Sequence, residues 1–163
     1  MCLSFVLMKK RINWKVLVVS LIIVLGISFV GSLFTSGNTD SSWYLENKPS
    51  FTPPSWVFGP VWTILYLLIA LSLYFVWTKA KRNEKKKIVV IYGINLVANV
   101  LWSYLFFGIQ NPLLSFIDLL VIFGSIIGMM VVAEKIDRKV AWLLVPYLLW
   151  VGFAGVLNFA FVV

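Results

Sequence analysis

The segment Trp43–Tyr66 reads WYLENKPSFTPPSWVFGPVWTILY, and it decides how the rest of the chain can be arranged. It holds four of the six prolines and three of the eight tryptophans. Proline lacks an amide hydrogen and restricts the residue before it, so the first three of these prolines predict a stiff, extended loop over residues 43–57. The fourth, Pro60, suits the first turn of the apolar helix that follows. The segment therefore predicts an aromatic loop that leads into a tryptophan-bearing helix.

The composition is that of an integral membrane protein. Of the 163 residues, 61% are hydrophobic and 12% are charged, whereas soluble domains are about 45–50% apolar and about 25% charged. The chain has a single cysteine, Cys2, and no histidine. These counts exclude a disulfide framework, a thiol metal cluster and a Ser-His-Asp nucleophile. We therefore expect neither hydrolytic nor metal-dependent catalysis and no required cofactor.

Five runs of the sequence are long and apolar enough to cross a bilayer as helices, which takes about 20 residues each. They predict an all-α fold, an integral membrane bundle of five transmembrane helices that forms a single domain over residues 1–163. The predicted spans are residues 14–34, 58–78, 88–107, 113–133 and 140–163.

The basic residues predict the orientation of these spans. Thirteen of the 14 lysines and arginines fall in the N-terminus, the loop after the second span and the loop after the fourth. The opposite side has only Lys48. The positive-inside rule then predicts a cytoplasmic N-terminus, an external C-terminus and a proline-rich loop that faces outward, in the plasma membrane of a bacterium. The net charge of +8 is explained by basic flanks that face anionic lipid, with no nucleic-acid partner.

The first span and the glycines of the fourth span each allow more than one interpretation. The first span has the basic start of a signal peptide, but its apolar run exceeds the about 7–15 residues of such peptides. Residues 1–7 look like an upstream extension, and we assign them no function. In the fourth span, Gly124 and Gly128 form a small-xxx-small face, which fits either packing within the bundle or a homodimer interface.

Three of the predicted helices carry polar and aromatic side chains along one face. Residues four apart on a helix share a face, and the third span places two amides and two aromatic rings in this way. The three stripes consist of Asn95, Asn99, Trp102 and Phe106 in the third span, Phe58, Trp62 and Tyr66 in the second, and Pro146, Trp150, Ala154 and Asn158 in the fifth.

Such stripes fit two interpretations. Aromatic residues at helical spacing are the usual filling of a bundle core, and intramembrane amides often bond helix to helix. Three stripes with convergent amides also fit a small-molecule pocket. Asp118, the one acidic residue inside a span, fits either a functional carboxylate or a charge favoured by the helix dipole. Trp43 and Tyr44 fit interfacial anchors, and Pro146 predicts a break within the fifth span.

At this point the motifs resemble a known family, the translocator protein or tryptophan-rich sensory protein family (TspO/MBR, formerly the peripheral benzodiazepine receptor). The segments that carry the resemblance are WYLENKPSFTPPSWVFGPVWTILY, ANVLWSYLFFG at residues 98–108 and PYLLWVGFAGVLN at residues 146–158. The KPxxxPPxWxFxPxW pattern is specific, and with five spans in order the resemblance covers essentially the whole chain.

The resemblance implies a five-helix bundle, often a dimer, whose first long loop closes a pocket. It implies porphyrin ligands such as protoporphyrin IX and haem, isoquinoline carboxamide and benzodiazepine drugs and, in some members, cholesterol. Trp62 and Trp150 match the two pocket tryptophans linked to light-dependent porphyrin breakdown, and they would be the catalytic residues if that reaction occurs here. The other matched positions are Pro53, Phe58, Asn99, Trp102, Asp118 and Ala154. We add Trp43, Tyr66, Asn95 and Lys48 as candidate ligand contacts.

Sterol binding is the point where the chain departs from the family pattern. The animal cholesterol motif needs a tyrosine and then a basic residue near the C-terminus, and it is a weak motif in any case. Here Leu157 is followed by Phe159 and Phe161 without a lysine or arginine, so sterol binding is doubtful. The sequence thus predicts a membrane receptor for porphyrins and drugs of the two named classes. The alternatives are a light-dependent porphyrin-degrading enzyme and a secondary transporter of tetrapyrroles or lipids.

Overall fold

The structure is a computed structural model, and it describes residues 12–163. Residues 1–11, which include Lys9, Lys10, Arg11 and the N-terminal segment 1–7, lie outside the described residues. Seven α-helices and one π-helical segment make up the described chain. They are α1 (Trp14–Thr35), α2 (Ser42–Asn47), α3 (Ser55–Lys79), α4 (Lys85–Ser103), the π-helical segment (Tyr104–Gly108), α5 (Pro112–Ile136), α6 (Arg138–Trp142) and α7 (Val145–Phe159).

The prediction of five spans is confirmed. Five helical stretches are long and apolar enough to cross a membrane, the third being α4 with the π-helical segment and the fifth being α6 with α7. Asparagine caps set the positions at which α1 and α5 begin. Asn13 Oδ1 accepts a hydrogen bond from the amide of Val16, and Asn111 Oδ1 accepts one from the amide of Leu114. Each cap satisfies an amide that the first helical turn leaves unpaired.

The predicted extended loop over residues 43–57 is wrong at both of its ends. Residues Ser42–Asn47 form helix α2, because Ser41 Oγ accepts a hydrogen bond from the amide of Tyr44 and so caps this short helix. At the other end, α3 begins at Ser55, and Pro54 occupies its N-cap position. The non-helical part of the segment is therefore limited to residues 48–54, which include Pro49, Pro53 and Pro54.

The predicted position of Pro60 in the first helical turn is also wrong. Pro60 lies inside α3, one turn beyond its start. A proline there removes one intrahelical hydrogen bond but leaves the earlier turn intact. Pro146, by contrast, has the predicted effect, since the fifth span is divided into α6 and α7 by a turn at Leu143–Leu144.

The helices pack so that the basic loops meet at one end of the bundle. Helix α1 packs against α3 and α4, and α5 packs against α4 and α7. The amide of Asn13 donates to the Tyr74 hydroxyl, which joins the start of α1 to the last turns of α3. The Lys79 ammonium pairs with the Asp137 carboxylate. The loops 80–84 and 137 therefore lie at the same end, which we call the basic end.

The small-xxx-small face of α5 is used within the bundle at Gly128. A Cβ at Gly128 would lie 2.7 Å from Ile91 Cδ1 of α4, so a larger residue here would force the Ile91 side chain to move. A Cβ at Gly124 would meet nothing within 4 Å. Packing within the bundle thus accounts for one glycine of the pair, and Gly124 remains free for another contact.

Candidate functional site

A cavity of about 270 Å³ lies at the end of the bundle opposite the basic end. Its walls come from α1, α3, α4 with the π-helical segment, and α7, and the connection between α1 and α3 covers it. The aromatic and amide residues of its wall are Phe58, Trp62, Tyr66, Asn99, Trp102, Phe106, Phe107, Asn158 and Phe161. Tyr44 and Thr52 contribute from the covering segment.

The structure brings six of the twelve predicted contact residues to the cavity wall and leaves the others outside it. The six at the wall are Phe58, Trp62, Tyr66, Asn99, Trp102 and Ala154. The others are Trp43, Lys48, Pro53, Asn95, Asp118 and Trp150, which contribute no part of that wall. A role in ligand binding stays a prediction for all twelve.

A hydrogen-bond network behind the wall fixes the amide of Asn99. Its Nδ2 donates to the backbone carbonyl of Asn95 over 2.7 Å and to the Tyr147 hydroxyl over 2.7 Å. The Tyr147 hydroxyl donates to Asn95 Oδ1, and Asn95 Nδ2 donates to Ser125 Oγ. Tyr66 contributes a longer contact of 3.5 Å to Asn99 Oδ1. Asn95 is therefore a support for the wall, since it is fully buried between α4, α5 and α7.

Asn158 is a second polar centre and lies directly at the wall. Its Oδ1 accepts hydrogen bonds from Trp102 Nε1 over 3.0 Å and from Ser115 Oγ over 3.1 Å. Its Nδ2 donates to the backbone carbonyl of Pro112. One side chain thereby ties α7 to α4 and α5 and orients the indole of Trp102 in the wall.

An aromatic cluster holds the covering segment in place. Trp43 packs against Phe106 and Phe161, with ring centroids 5.5 and 5.7 Å apart, and Tyr44 packs against Phe107 and Phe161. The burial of Tyr44 raises the pKa of its phenol above the usual value. Trp43 thus packs on the back of the cavity wall, and the structure explains it as an anchor of α2.

The π-helical segment supplies two of the rings in this cluster. Tyr104–Gly108 widens the end of α4 by one residue, and Phe106 and Phe107 are both buried there. Phe106 stacks on Trp102 with centroids 5.2 Å apart and an interplanar angle of 13°. π-Bulges inside α-helices are frequent at functional sites. This one turns consecutive phenylalanines toward the cavity.

Two buried polar atoms beside the cavity have no hydrogen-bond partner within the described chain, namely Asp118 Oδ2 and Trp150 Nε1. Asp118 is buried on α5, in the same helical column as Ser115. Trp150 makes an edge contact with Phe58, with centroids 5.9 Å apart, but does not itself line the cavity. Of the two candidate catalytic tryptophans, Trp62 alone forms part of the wall.

Sequence reasoning missed the contribution of α1. Four small residues, Ser28, Gly31, Ser32 and Thr35, form that side of the cavity. A Cβ at Gly31 would lie 3.4 Å from Ser103 Oγ of α4, which shows how closely the two helices approach. The signal was present as a run of small residues at helical spacing within an otherwise bulky span. It was overlooked because small residues in a membrane helix also indicate ordinary close packing.

Comparison with known proteins shows the family to which the chain belongs. The family model for the TspO/MBR family matches residues 18–163. The chain belongs to the TspO/MBR family. It is therefore a multi-pass membrane protein, and the resemblance given by the three motifs is confirmed.

Relatives in this family come from archaea, bacteria and animals. The chain is 43% identical to the tryptophan-rich protein TspO of Archaeoglobus fulgidus over 88% of this chain and 93% of that protein. It is 40% identical to the tryptophan-rich protein TspO of Chlorobaculum tepidum, over 93% and 96%. It is 36% identical to the human translocator protein, over 80% of this chain and 79% of that protein.

Proposed function

We propose that this member of the TspO/MBR family is a membrane receptor that binds porphyrins, such as protoporphyrin IX and haem, and isoquinoline carboxamide or benzodiazepine drugs. The observation that carries this proposal is the cavity wall, where flat aromatic rings surround two amide groups held in fixed orientations. Small-molecule sites have this composition, with a mostly apolar lining and a few placed polar groups. Binding would serve a regulatory or transport role.

The polar groups at the wall suit a planar ligand with heteroatoms. Trp102 and Phe106 already stack on each other, so a third flat ring can extend the stack. Asn99 and Asn158 hold their amides by several hydrogen bonds each, which lowers the entropy cost of using them for recognition.

The size of the cavity separates the two ligand classes. At about 270 Å³ it lies just below the range of about 300–1,000 Å³ that is common for ligand pockets. A two-ring drug fits this space more readily than a tetrapyrrole macrocycle. We therefore expect porphyrin binding to require displacement of α2, and drug binding to leave α2 in place.

Lys48 is our candidate partner for a porphyrin propionate. It is exposed and follows α2 directly, and it is the one cation in the described part of the segment between α1 and α3. Lys48→Ala should weaken protoporphyrin IX binding at low salt but leave the neutral drug unaffected. An unchanged porphyrin affinity at low salt would remove this assignment.

The test of the receptor proposal is a dark titration of the purified protein with protoporphyrin IX, read by tryptophan quenching and porphyrin absorbance. We expect saturable binding that Trp62→Phe weakens and Trp142→Phe leaves unchanged. Trp142 is a suitable control because it is 63% exposed and lies on α6 near the basic end. Unsaturable quenching in the wild type would overturn the proposal.

A light-dependent porphyrin-degrading enzyme is the second candidate, favoured by the position of Trp62 at the wall. Illumination of the same titrated samples tests it, with bleaching as the readout. The geometry predicts that Trp62→Phe slows bleaching more than Trp150→Phe does, because Trp62 lines the cavity and Trp150 does not. Bleaching that survives the double substitution would exclude a role for both tryptophans.

Coupled transport of tetrapyrroles or lipids receives less support from the described residues. Transporters commonly use intramembrane ionisable groups for coupling, and Asp118 is buried behind the cavity wall. Flux into proteoliposomes that depends on an ion gradient and is lost in Asp118→Asn would favour this alternative over the receptor.

The proposed orientation places the basic end in the cytoplasm and the cavity on the external side of the plasma membrane. A cysteine-labelling experiment tests it. In a Cys2→Ser background, Asn47→Cys should react with a membrane-impermeant maleimide in intact cells, and Asn83→Cys should not. The opposite pattern would invert the orientation without affecting the cavity.

A homodimer is compatible with the free Gly124 position on α5, whose added Cβ would meet nothing within 4 Å. If α5 forms the dimer interface, Gly124→Leu should convert a purified dimer to monomer. A dimer that resists this substitution would place the interface elsewhere.

A further inference from the structure

A groove on the outer surface of the bundle lies at the basic end, far from the cavity. It runs between the first turns of α4 and the last turns of α5 and has a volume of about 350 Å³. Its apolar part is lined by Val90, Ile91, Gly128 and Val132, and Lys86 and Lys87 stand at one end. We propose that this groove binds one anionic phospholipid, with an acyl chain along the apolar part and the phosphate at the two lysines.

At the apolar part of the groove, α4 and α5 approach each other closely beside Gly128. Ile91 fits so closely against this glycine that an added Cβ would lie 2.7 Å from its Cδ1. The groove lies along this contact between α4 and α5, and Val90, which is 50% exposed, forms one rim of it. A flexible hydrocarbon chain packs better in a groove between two helices than it does on the flat surface of a single lipid-facing helix.

Two of the three consecutive lysines that begin α4, Lys86 and Lys87, form the charged end of the groove. Lys85 is already engaged, since its ammonium lies 4.8 Å from the centroid of the Trp77 ring. Lys86 and Lys87 are exposed and form no ion pair within the described chain. Their helical spacing to Val90 and Ile91 places them directly above the apolar part.

Further electrostatic features at this end favour an anion. The lysines lie in the first turn of α4, where the helix dipole presents partial positive charge. Lys135 lies one turn beyond Val132 on α5 and extends the positive surface. Glu84 precedes the helix, but its carboxylate accepts a hydrogen bond from the Lys81 amide. Basic pockets between membrane helices on the cytoplasmic side of a membrane are known to hold anionic headgroups.

The experiment measures lipid retained by the purified protein. Protein reconstituted in vesicles of phosphatidylcholine with a minority of phosphatidylglycerol is extracted, and bound lipid is counted by native mass spectrometry. We expect one phosphatidylglycerol per chain, retained in preference to phosphatidylcholine. In Lys86→Gln/Lys87→Gln the retention should fall about fivefold for each lysine removed.

A matched control separates a site from general attraction to negative lipid. Lys81→Gln/Arg82→Gln removes the same charge from the loop just before α4, and neither residue lines the groove. Equal losses in the two pairs would overturn the proposal, as would full retention in Lys86→Gln/Lys87→Gln.

A second variant tests the acyl-chain part of the groove. Val90→Trp fills it from the lipid-facing surface and leaves both lysines in place, so it should also release phosphatidylglycerol. Retention in Val90→Trp, or displacement of the lipid by free glycerol 3-phosphate, would mean that a phosphate alone binds and would overturn the lipid proposal. A dimer in the wild type that Val90→Trp dissociates, without any lipid effect, would assign the groove to a second copy of the chain. Unchanged binding at the cavity in the dark titration verifies that each variant is folded.

Discussion

Trp102 Nε1 donates a hydrogen bond of 3.0 Å to Asn158 Oδ1, across 56 residues of sequence. The same oxygen accepts from Ser115 Oγ, so a single amide on α7 is bonded to residues of α4 and α5. Because the indole of Trp102 forms part of the cavity wall, the shape of the wall depends on this amide. Stability and binding are therefore coupled at Asn158.

Replacing Asn158 by leucine should lower both stability and ligand affinity. The substitution leaves Trp102 Nε1 and Ser115 Oγ without their acceptor, and a buried polar group without a partner costs about 1–3 kcal/mol. Thermal unfolding in detergent measures the first effect, and the dark titration measures the second. Asn83→Leu, an exposed loop position, is the control. A melting temperature equal to that of the wild type would show that the network does not hold the wall.

Enlarging Ala154 should block the cavity without destabilising the bundle. Ala154 lines the wall, and Ala154→Leu would place a larger side chain into a space of about 270 Å³. We expect affinity for an isoquinoline carboxamide to fall at least about tenfold, which corresponds to about 1.4 kcal/mol. Val156→Phe enlarges a 59% exposed residue of the same helix and should leave the affinity unchanged. Equal affinities in the two variants would place the ligand elsewhere.

Asp118→Asn should raise the melting temperature. Asp118 Oδ2 is buried without a donor within the described chain, and an uncompensated buried charge is more costly than a neutral amide of the same shape. We expect a gain of no more than about 1 kcal/mol, because the amide removes the charge but is still a buried polar group. Asp40→Asn, at an exposed position, is the control. A lower melting temperature in Asp118→Asn would show that the charge is compensated, for example by a bound ligand.

Stability at the basic end should depend on pH through Asp137. The hydrogen bond from Lys79, and then the one from the Lys139 amide, lower the pKa of this carboxyl below its usual value. Since its folded pKa is depressed, its contribution is present above the ordinary value of about 3.9 and is lost as the pH falls through the folded pKa.

The check on this dependence is a series of melting temperatures from neutral pH down to about pH 2. Asp137→Asn should flatten the acid limb of the curve of melting temperature against pH. Glu134→Gln should leave that limb unchanged, because the partner of Glu134, Arg138, is exposed and 4.0 Å away. An unaltered acid limb in Asp137→Asn would assign the acid sensitivity to other groups. The effect should be small because the pair is solvated.

The sequence predicted the membrane class, the five spans and the family because each depends on local or additive properties. Hydrophobic length decides whether a segment crosses a bilayer, and Pro146 breaks the fifth span by the absence of one amide hydrogen. Helical spacing likewise placed Asn95, Asn99, Trp102 and Phe106 on one face. These inferences need no knowledge of which helices are neighbours.

Only the tertiary structure decided which of those residues reach the cavity. Asn95 and Asn99 share a face, but Asn95 faces α5 and bonds to Ser125, whereas Asn99 lies at the wall. The small residues of α1 became wall residues because α1 packs against both α3 and α4. The choice of helix neighbours depends on long-range packing, and the cap at Ser41 depends on a single hydrogen bond. The hydrophobic period of the sequence encodes neither of them, nor the π-helical turn.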